Sequence, residues 1–422
     1  GADGRKTVAI VVDYAWHPGQ EEVDELVALL RSHGWEAEGS WFQVMDSIDS
    51  IVVDHVPVSA LLEIHAIESV VVVEMQNVMY PTLQSANPAS RIQPSDVYSG
   101  TVYDRGYDGE GVVIAVLDSG VDNEHRSLND FDDENDDPDL DANSYDDQKW
   151  VAGYDATSQA SNPDGSQDPD DGQGHGTHVA GIALGTGDSS RVHIGAAPGA
   201  FLVDIKVLTD SGGTNSQNSI NGIQWMINNK DTDWGNGARG IQIGQMSFGS
   251  IGNPINQDNG DNGTGAESRL VNNATYDHDI ACIVAAGNDG TQRIASPGSA
   301  DGAITIGSAD NSDTINRTDD FMASYSNSGP RLSDNDNDDW DELKPDLTAY
   351  GSGIYSASAA TGTSFPGSPR PEADSGYESK DGTSMATPLV SGVVALMLQA
   401  DSSLKPMEVK DILRNSSEQK GS

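Results

Sequence analysis

The sequence predicts an α/β fold, with three layers of helices and a mostly parallel central sheet, preceded by a small α+β domain. Two apolar runs and one alternation of short elements carry that prediction. Val112-Val113-Ile114-Ala115-Val116-Leu117 and Ala281-Cys282-Ile283-Val284-Ala285-Ala286 lack the polar alternation of a strand with one wet face. Both read as strands buried on both faces of a parallel sheet. Each run stops near a polar residue, Asp118 and Asn288, and open α/β sheets place functional groups at the C-terminal ends of their strands. Before residue 84 the pattern changes to β-α-β-α-β, the split βαβ order of a ferredoxin-like domain.

In chain order, residues 7–12 form a strand, and residues 21–33 carry Val23, Leu26, Val27 and Leu30 at helical spacing until Gly34 stops them. An extended stretch at 51–53, a short helix over 59–67 and a strand at 70–73 complete the small domain. Residues 85–99 and 361–379, rich in Ser, Pro and Gly, read as linker or surface loop. A helix starts at His175, a strand covers 202–208, and the apolar stretch 389–398 is long enough for a helix buried most of the way round. There is no internal repeat and no run of about 18 apolar residues, so no membrane-spanning segment is expected. Gly1-Ala2-Asp3-Gly4 has neither a charged n-region nor an apolar h-region, so any signal peptide was removed or never included.

With 422 residues the chain has room for a large domain and a small one. Its 67 acidic against 22 basic residues, a formal net charge of −45, exclude nucleic acid as a partner, because phosphate binding needs the opposite sign. Such an excess repels itself when compact; high salt or bound cations offset it, which suggests a salt-rich setting. The acids cluster at 130–141 and 334–342. Asp132, Asp136, Asp139 and Asp141 in the first run, and Asp334, Asp336, Asp338 and Asp341 in the second, are candidate ligands for calcium, which takes six to eight hard oxygens. Neither run has full EF-hand spacing, and a solvated acidic loop is the competing reading. Cys282 is the single cysteine, so no intrachain disulfide forms; within an apolar strand it reads as an inert buried thiol.

Three short segments carry chemistry: Val116-Leu117-Asp118-Ser119-Gly120, Gly174-His175-Gly176-Thr177-His178 and Gly382-Thr383-Ser384-Met385-Ala386-Thr387-Pro388. They supply a carboxylate, an imidazole and a hydroxyl, the set in which a carboxylate orients a base that deprotonates a nucleophile. Ser384 precedes the long apolar helix, so orphan backbone N–H groups and the positive end of a helix dipole lie beside it. Asn288, in a glycine turn after a buried strand, is the candidate second donor for an oxyanion. His178 reads as a packed structural histidine, since no carboxylate motif accompanies it.

The order Asp, His, Ser and these three motifs resemble the subtilases, the subtilisin-like serine endopeptidases, from about residue 90 onward. The resemblance implies Asp118 as orienter, His175 as general base and then acid, Ser384 as nucleophile, and Asn288 with Ser384 as oxyanion donors. It implies a peptide added as a strand between Gly212-Gly213-Thr214 and Ser247-Phe248-Gly249, a mode whose main-chain hydrogen bonds tolerate sequence. Ala295 would line a pocket for a medium to large apolar side chain, with Asp289 at the rim able to accept a basic one. Residues 1–83 would be an inhibitory propeptide that assists folding, cut by the enzyme itself near Leu83, and 84–422 the catalytic domain. A secreted, monomeric, calcium-stabilised protease acting on proteins and peptides is what the resemblance implies, together with a further turn and helix beyond Asn415. A catalytically silent, calcium-dependent binding or scaffold protein of the same fold is the alternative. An esterase with the same triad lacks its Gly-x-Ser-x-Gly elbow around Ser384.

Overall fold

A computed structural model describes residues 7–36, 42–45, 49–75, 82–95, 97–98, 100–123, 125–128, 149–158, 163–187, 193–213, 215–235, 237–249, 260–336, 342–359 and 376–419. The chain divides into two compact units, Gly1–Met79 and Tyr80–Ser422.

The first unit contains β1 (Thr7–Tyr14), α1 (Gln20–Ser32), β2 (Phe42–Met45), β3 (Ser50–Pro57), α2 (Leu61–His65) and β4 (Val70–Met75). Its sheet has the order β2-β3-β1-β4, with every neighbouring pair antiparallel. This is the ferredoxin-like topology. Leu26 and Leu30 of α1 and Ile64 of α2 pack with Ile10, Val12, Ile51 and Val53 of the sheet into one small core. The sequence reading lacks β2. Four residues, Phe-Gln-Val-Met, are too few to show a period of two, and β2 is recognisable only by its pairing with β3.

The second unit contains α3 (Thr82–Ala89), β5 (Val113–Asp118), β6 (Trp150–Asp155), α4 (His175–Leu184), β7 (Phe201–Lys206), α5 (Ser216–Asn228), a small hairpin of β8 (Asp233–Gly235) and β9 (Ala238–Arg239), and β10 (Ile243–Met246). There follow α6 (Ala266–Tyr276), β11 (Ala281–Ala285), β12 (Ile304–Asp310), β13 (Phe321–Met322), β14 (Leu347–Tyr350), β15 (Ile354–Ala357), β16 (Tyr377–Lys380), α7 (Thr383–Ala400) and α8 (Pro406–Ser416). The main sheet runs β13-β12-β11-β10-β5-β7-β6, with β14 also on β12. All of its pairings are parallel except β12 with β13.

Strand side chains alternate between two cores. Ile114 and Val116 point to the face that α4 and α7 cover, with Val179, Ile182, Leu389 and Val394. Val113, Ala115 and Leu117 point to the other, with Ile223 and Met226 of α5 and Val271 and Ala274 of α6. These are the three layers, and each fully buried Leu, Ile or Val contributes about 1.5–3 kcal/mol.

Within 85–99, residues 85–89 are not linker but the second half of α3, while the described residues from 91 to 98 are turns and irregular chain, as expected of a surface loop. Ser85, Ala86, Asn87 and Ala89 are fully buried, and Ala86, Ala89 and Ile92 join the α4/α7 core. The polar members that mimic a loop composition find tertiary partners: Asn87 Nδ2 donates to the Ile194 carbonyl at 2.8 Å and Ser85 Oγ accepts from Asn311 Nδ2 at 2.9 Å. Of the second segment taken for loop, 360–375 lie outside the described residues, while Tyr377–Lys380 is β16 and pairs with β15. Among the described residues α7 is long and apolar enough to cross a membrane, but most of it is buried inside the protein, so its apolarity is that of a core helix.

Helix α8 is pinned to the sheet by a buried carboxylate. Asp346 takes Lys344 Nζ at 3.0 Å, Lys410 Nζ at 3.2 Å and Arg414 Nη1 at 3.7 Å, and accepts from the Thr305 N–H at 2.8 Å. Burial alone would raise its pKa; the lysines outweigh burial and hold it below the usual carboxylate value. Asp346→Asn leaves buried cations without their counter-charge, and about 3–5 kcal/mol of stability is expected to be lost. Urea unfolding at neutral pH measures it.

Candidate active site

Asp118 is the last residue of β5, His175 the first of α4 and Ser384 the second of α7, so three different elements deliver the candidate triad. Asp118 Oδ1 accepts from His175 Nδ1 at 2.7 Å and from the Ser119 N–H at 2.8 Å. The carboxylate is fully buried, whereas the imidazole keeps 21% of its side-chain surface exposed. Burial works against a charged imidazole, but Asp118 outweighs it and the His175 pKa lies above its ordinary value.

The N-terminus of α4 is held by a second carboxylate. Asp171 Oδ1 accepts from Ser119 Oγ at 2.8 Å and from the Gly174 N–H at 2.7 Å, and Oδ2 accepts from the Thr177 N–H at 2.9 Å and its Oγ1 at 2.7 Å. Ser119 Oγ in turn accepts from the Gly176 N–H at 2.9 Å. Orphan donors of the helix start are thereby used to fix it against the Asp118 loop. A Cβ at Gly176 would lie 1.9 Å from the Gly120 carbonyl oxygen, so only glycine permits this approach.

Ser384 and Asn288 line one cavity of about 270 Å³. Asn288 Oδ1 accepts from the Thr383 N–H at 2.8 Å and from Thr383 Oγ1 at 2.9 Å. A backbone N–H can only donate, so Oδ1 must face Thr383 and the amide's donor end, Nδ2, is left for another acceptor. A Cβ at Gly382 would come within 3.2 Å of that Nδ2 and 3.5 Å of the Ser384 nitrogen. The side-chain amide and the Ser384 N–H thus both border the space that a Gly382 side chain would fill, at the positive end of α7. Ser384 Oγ donates to the Ser247 carbonyl at 3.1 Å, and Ser247 Oγ donates to the Ser384 carbonyl at 2.8 Å. General-base catalysis requires the Ser384 hydroxyl to turn from that carbonyl to His175 Nε2, a hydrogen bond of the kind that tightens only once substrate is bound.

Ser247, Phe248, Gly249 and Ala295 line the same cavity, as do Asp289 and Thr383. Gly212 and Gly213 lie in a turn after β7, closed by Thr209 N–H to the Gly213 carbonyl at 2.8 Å; Thr214 lies outside the described residues. Asp289 is paired with Arg293 Nη2 at 3.6 Å, so its charge at the rim is already answered. Leu83 lies on α3. Asp132, Asp136, Asp139, Asp141, Asp338 and Asp341 lie outside the described residues. Asp334 is committed to Arg331 Nη2 at 3.2 Å, and among the described residues no group of three or more His, Cys, Asp or Glu is placed to hold a metal ion. Asp334 and Asp336 therefore do not fit a calcium cage by themselves.

His178 is buried, with Nε2 3.0 Å from the Glu378 carbonyl, and burial first, then Lys380, pushes its pKa down to about 3. Burial pushes the Cys282 thiol up to about 12. Sequence reasoning missed Thr383, Asp171 and Ser247 Oγ as positioning groups. Thr383 and Asp171 sit beside recognised motif residues, but their partners become visible only when the chain is folded.

A family model described as Peptidase_S8, the subtilase family, matches residues 109–422. The chain is 36% identical over 254 residues to the serine protease AprX of Bacillus subtilis (strain 168), covering 59% of this chain and 53% of AprX. It is 29% identical over 328 residues to subtilisin Savinase of Lederbergia lenta, covering 78% and 91%. The chain thus spans about half the length of AprX and likewise 53% of alkaline elastase YaB, a Bacillus relative. Among solved structures, Sphericase superposes with a TM-score of 0.56 at 27% identity, covering 79% of this chain and 90% of that one. A cold adapted subtilisin-like serine proteinase gives 0.51 at 26%, with the same coverage. The family match takes in Asp118, His175, Asn288 and Ser384 and most of the second unit, and the chain belongs to the subtilase family.

Proposed function

We propose that the chain is a serine endopeptidase that cleaves peptide bonds through an acyl-enzyme at Ser384. The observation that carries the reading is the Asn288 amide, oriented by Thr383 and lining one cavity with Ser384. Ser384 Oγ attacks the scissile carbonyl carbon while His175 Nε2 takes its proton. The carbonyl oxygen, now negative, accepts hydrogen bonds from the Ser384 N–H and Asn288 Nδ2. Collapse breaks the C–N bond, and the leaving amine takes the proton from His175. Water then repeats the sequence at the ester and releases the acid. Asp118 keeps the imidazole proton on Nδ1 throughout.

The proposal includes a secreted, monomeric proenzyme whose N-terminal unit is an inhibitory propeptide. Its support is the ferredoxin-like topology of Gly1–Met79 as a separate compact unit. Leu83, the expected cut, lies on α3, and a cleft that adds substrate as a strand takes extended chain. Cleavage at Leu83 therefore requires the first turn of α3 to open. Incubating the chain with and without calcium and following its mass tests the reading: an N-terminal fragment lost only by the chain with Ser384 intact, followed by casein hydrolysis, is the expected result. A chain that stays whole and inactive at every calcium and salt level contradicts it. Calcium is proposed as a stabilising ion because the acidic run 130–141 offers many hard oxygen ligands in sequence.

Asn288→Ala is expected to lower kcat by about 10²–10³-fold, roughly 2.7–4 kcal/mol, with KM nearly unchanged; this is the range subtilisin shows for its own asparagine donor. Steady-state kinetics on a peptide p-nitroanilide measures it.

A further inference from the structure

We propose that Glu267 is a positioning residue for substrate selection: through Ser296 it holds the Ala295 wall of the cavity beside Ser384, and so sets acceptance of large apolar side chains. The inference rests on the serine endopeptidase reading.

Glu267 is the second residue of α6 and only 8% exposed. Ser219 Oγ of α5 donates to one carboxylate oxygen in a short contact, and Ser296 Oγ donates to the other at 3.3 Å. Among the described residues no cation pairs with it. Burial pushes its pKa up, while the two serine hydroxyls oppose that shift. A buried carboxylate held only by hydroxyls is costly as mere packing, since an apolar residue would fill the volume without desolvation. What the carboxylate provides is a fixed anchor for two hydroxyls, one on α5 and one on the loop that lines the cavity.

That loop is held along its length. Ser268 Oγ, next along α6, meets Ser296 Oγ at 3.0 Å and Ser299 Oγ at 3.2 Å, and Ser299 Oγ donates to Asp261 Oδ1 at 2.6 Å. On the cavity side there is no slack. A Cβ at Gly249 would lie 3.1 Å from Ala295 Cβ and 3.4 Å from the Ser296 carbonyl oxygen. The Ala295 wall is therefore packed against the segment that faces it, and a shift of Ser296 changes the width of the cavity. A large side chain fills that width, whereas a methyl group does not touch the wall.

The test uses the whole chain, first titrated with an active-site ester so that rates refer to competent enzyme. Peptide p-nitroanilides ending in Phe and in Ala then give KM and kcat. For Glu267→Ala, KM for the Phe substrate is expected to rise about tenfold, with kcat and the Ala substrate within about twofold, because a small misplacement of a binding wall is felt by the group that fills it. Glu267→Gln, which can still bridge the two hydroxyls, is expected to stay within about twofold of the parent on both substrates. Ser296→Ala removes the link while leaving Glu267 with Ser219, and is expected to reproduce the Phe-specific rise even where Glu267→Ala fails to fold. Equal losses on both substrates, or an unchanged KM for Phe in Ser296→Ala, overturn the inference. A parent chain with no titratable burst removes the endopeptidase reading itself, and this inference with it.

Discussion

Ser384→Ala is expected to lower kcat by about 10⁶-fold, the size of loss subtilisin shows when its nucleophile is removed. The magnitude follows from the step that disappears. Without the hydroxyl no acyl-enzyme forms, and what remains is the contribution of binding and of the oxyanion donors to direct attack by water, roughly 10³–10⁴ over the uncatalysed rate. Ser384 is held between Gly382 and the Ser247 clamp and is 9% exposed, so loss of its Oγ leaves little space to collapse into. The variant is expected to fold and to bind peptide with KM near that of the parent. Hydrolysis of a p-nitroanilide, with binding followed separately by inhibitor titration, separates the two. A variant that retains more than about a hundredth of the parent rate contradicts Ser384 as nucleophile.

Asp118→Asn is expected to cost about 10⁴-fold in kcat, because an amide facing His175 Nδ1 favours the wrong tautomer. Its pH dependence is a second reading of the same contact. In the parent, Asp118 holds the His175 pKa above its usual value of about 6.5, so the acid limb of kcat/KM lies above that pH. The asparagine variant keeps the burial that disfavours charge and loses the carboxylate that favours it, so its acid limb moves to lower pH. Linkage gives the stability sign. A histidine whose pKa is raised on folding stabilises the native state below its unfolded pKa, and that contribution is lost as pH rises through the folded pKa. Activity therefore appears in the parent over the pH range in which this stabilisation fades. In Asp118→Asn the acid limb lies at lower pH, and the stabilisation that came from the raised pKa is lost. Rate profiles and urea midpoints across pH 5–9 measure the pair.

How much of this was legible before folding differs by kind of residue. The buried strands announced themselves as unbroken apolar runs, because a sheet covered on both faces removes the polar alternation, and Asp118 and Asn288 stood out at their ends. Helix α7 was visible for the same reason. Composition misled where tertiary partners satisfy polar groups: Ser85 and Asn87 look like loop residues, and they are buried because Asn311 and the Ile194 carbonyl bond to them. Thr383 is part of a recognised motif, but its role depends on Asn288, 95 residues away in sequence. Asp171 reads as one more acid in an acidic stretch, and nothing local shows that it holds α4 against the Asp118 loop. Glu267 reads as an ordinary acid in the first turn of a helix, where the dipole favours it. Only the approach of Ser219 and Ser296 separates it from a solvated carboxylate.

The most direct test of the account is covalent. The whole chain is incubated with a fluorophosphonate, which requires an activated serine beside an oxyanion site, and the adduct is located by mass spectrometry of peptides. One adduct per chain, on Ser384, abolished by Asp118→Asn and accompanied by complete loss of peptide hydrolysis, is the predicted result. No adduct under conditions where the protein is folded, or an adduct elsewhere with hydrolysis intact, would contradict it.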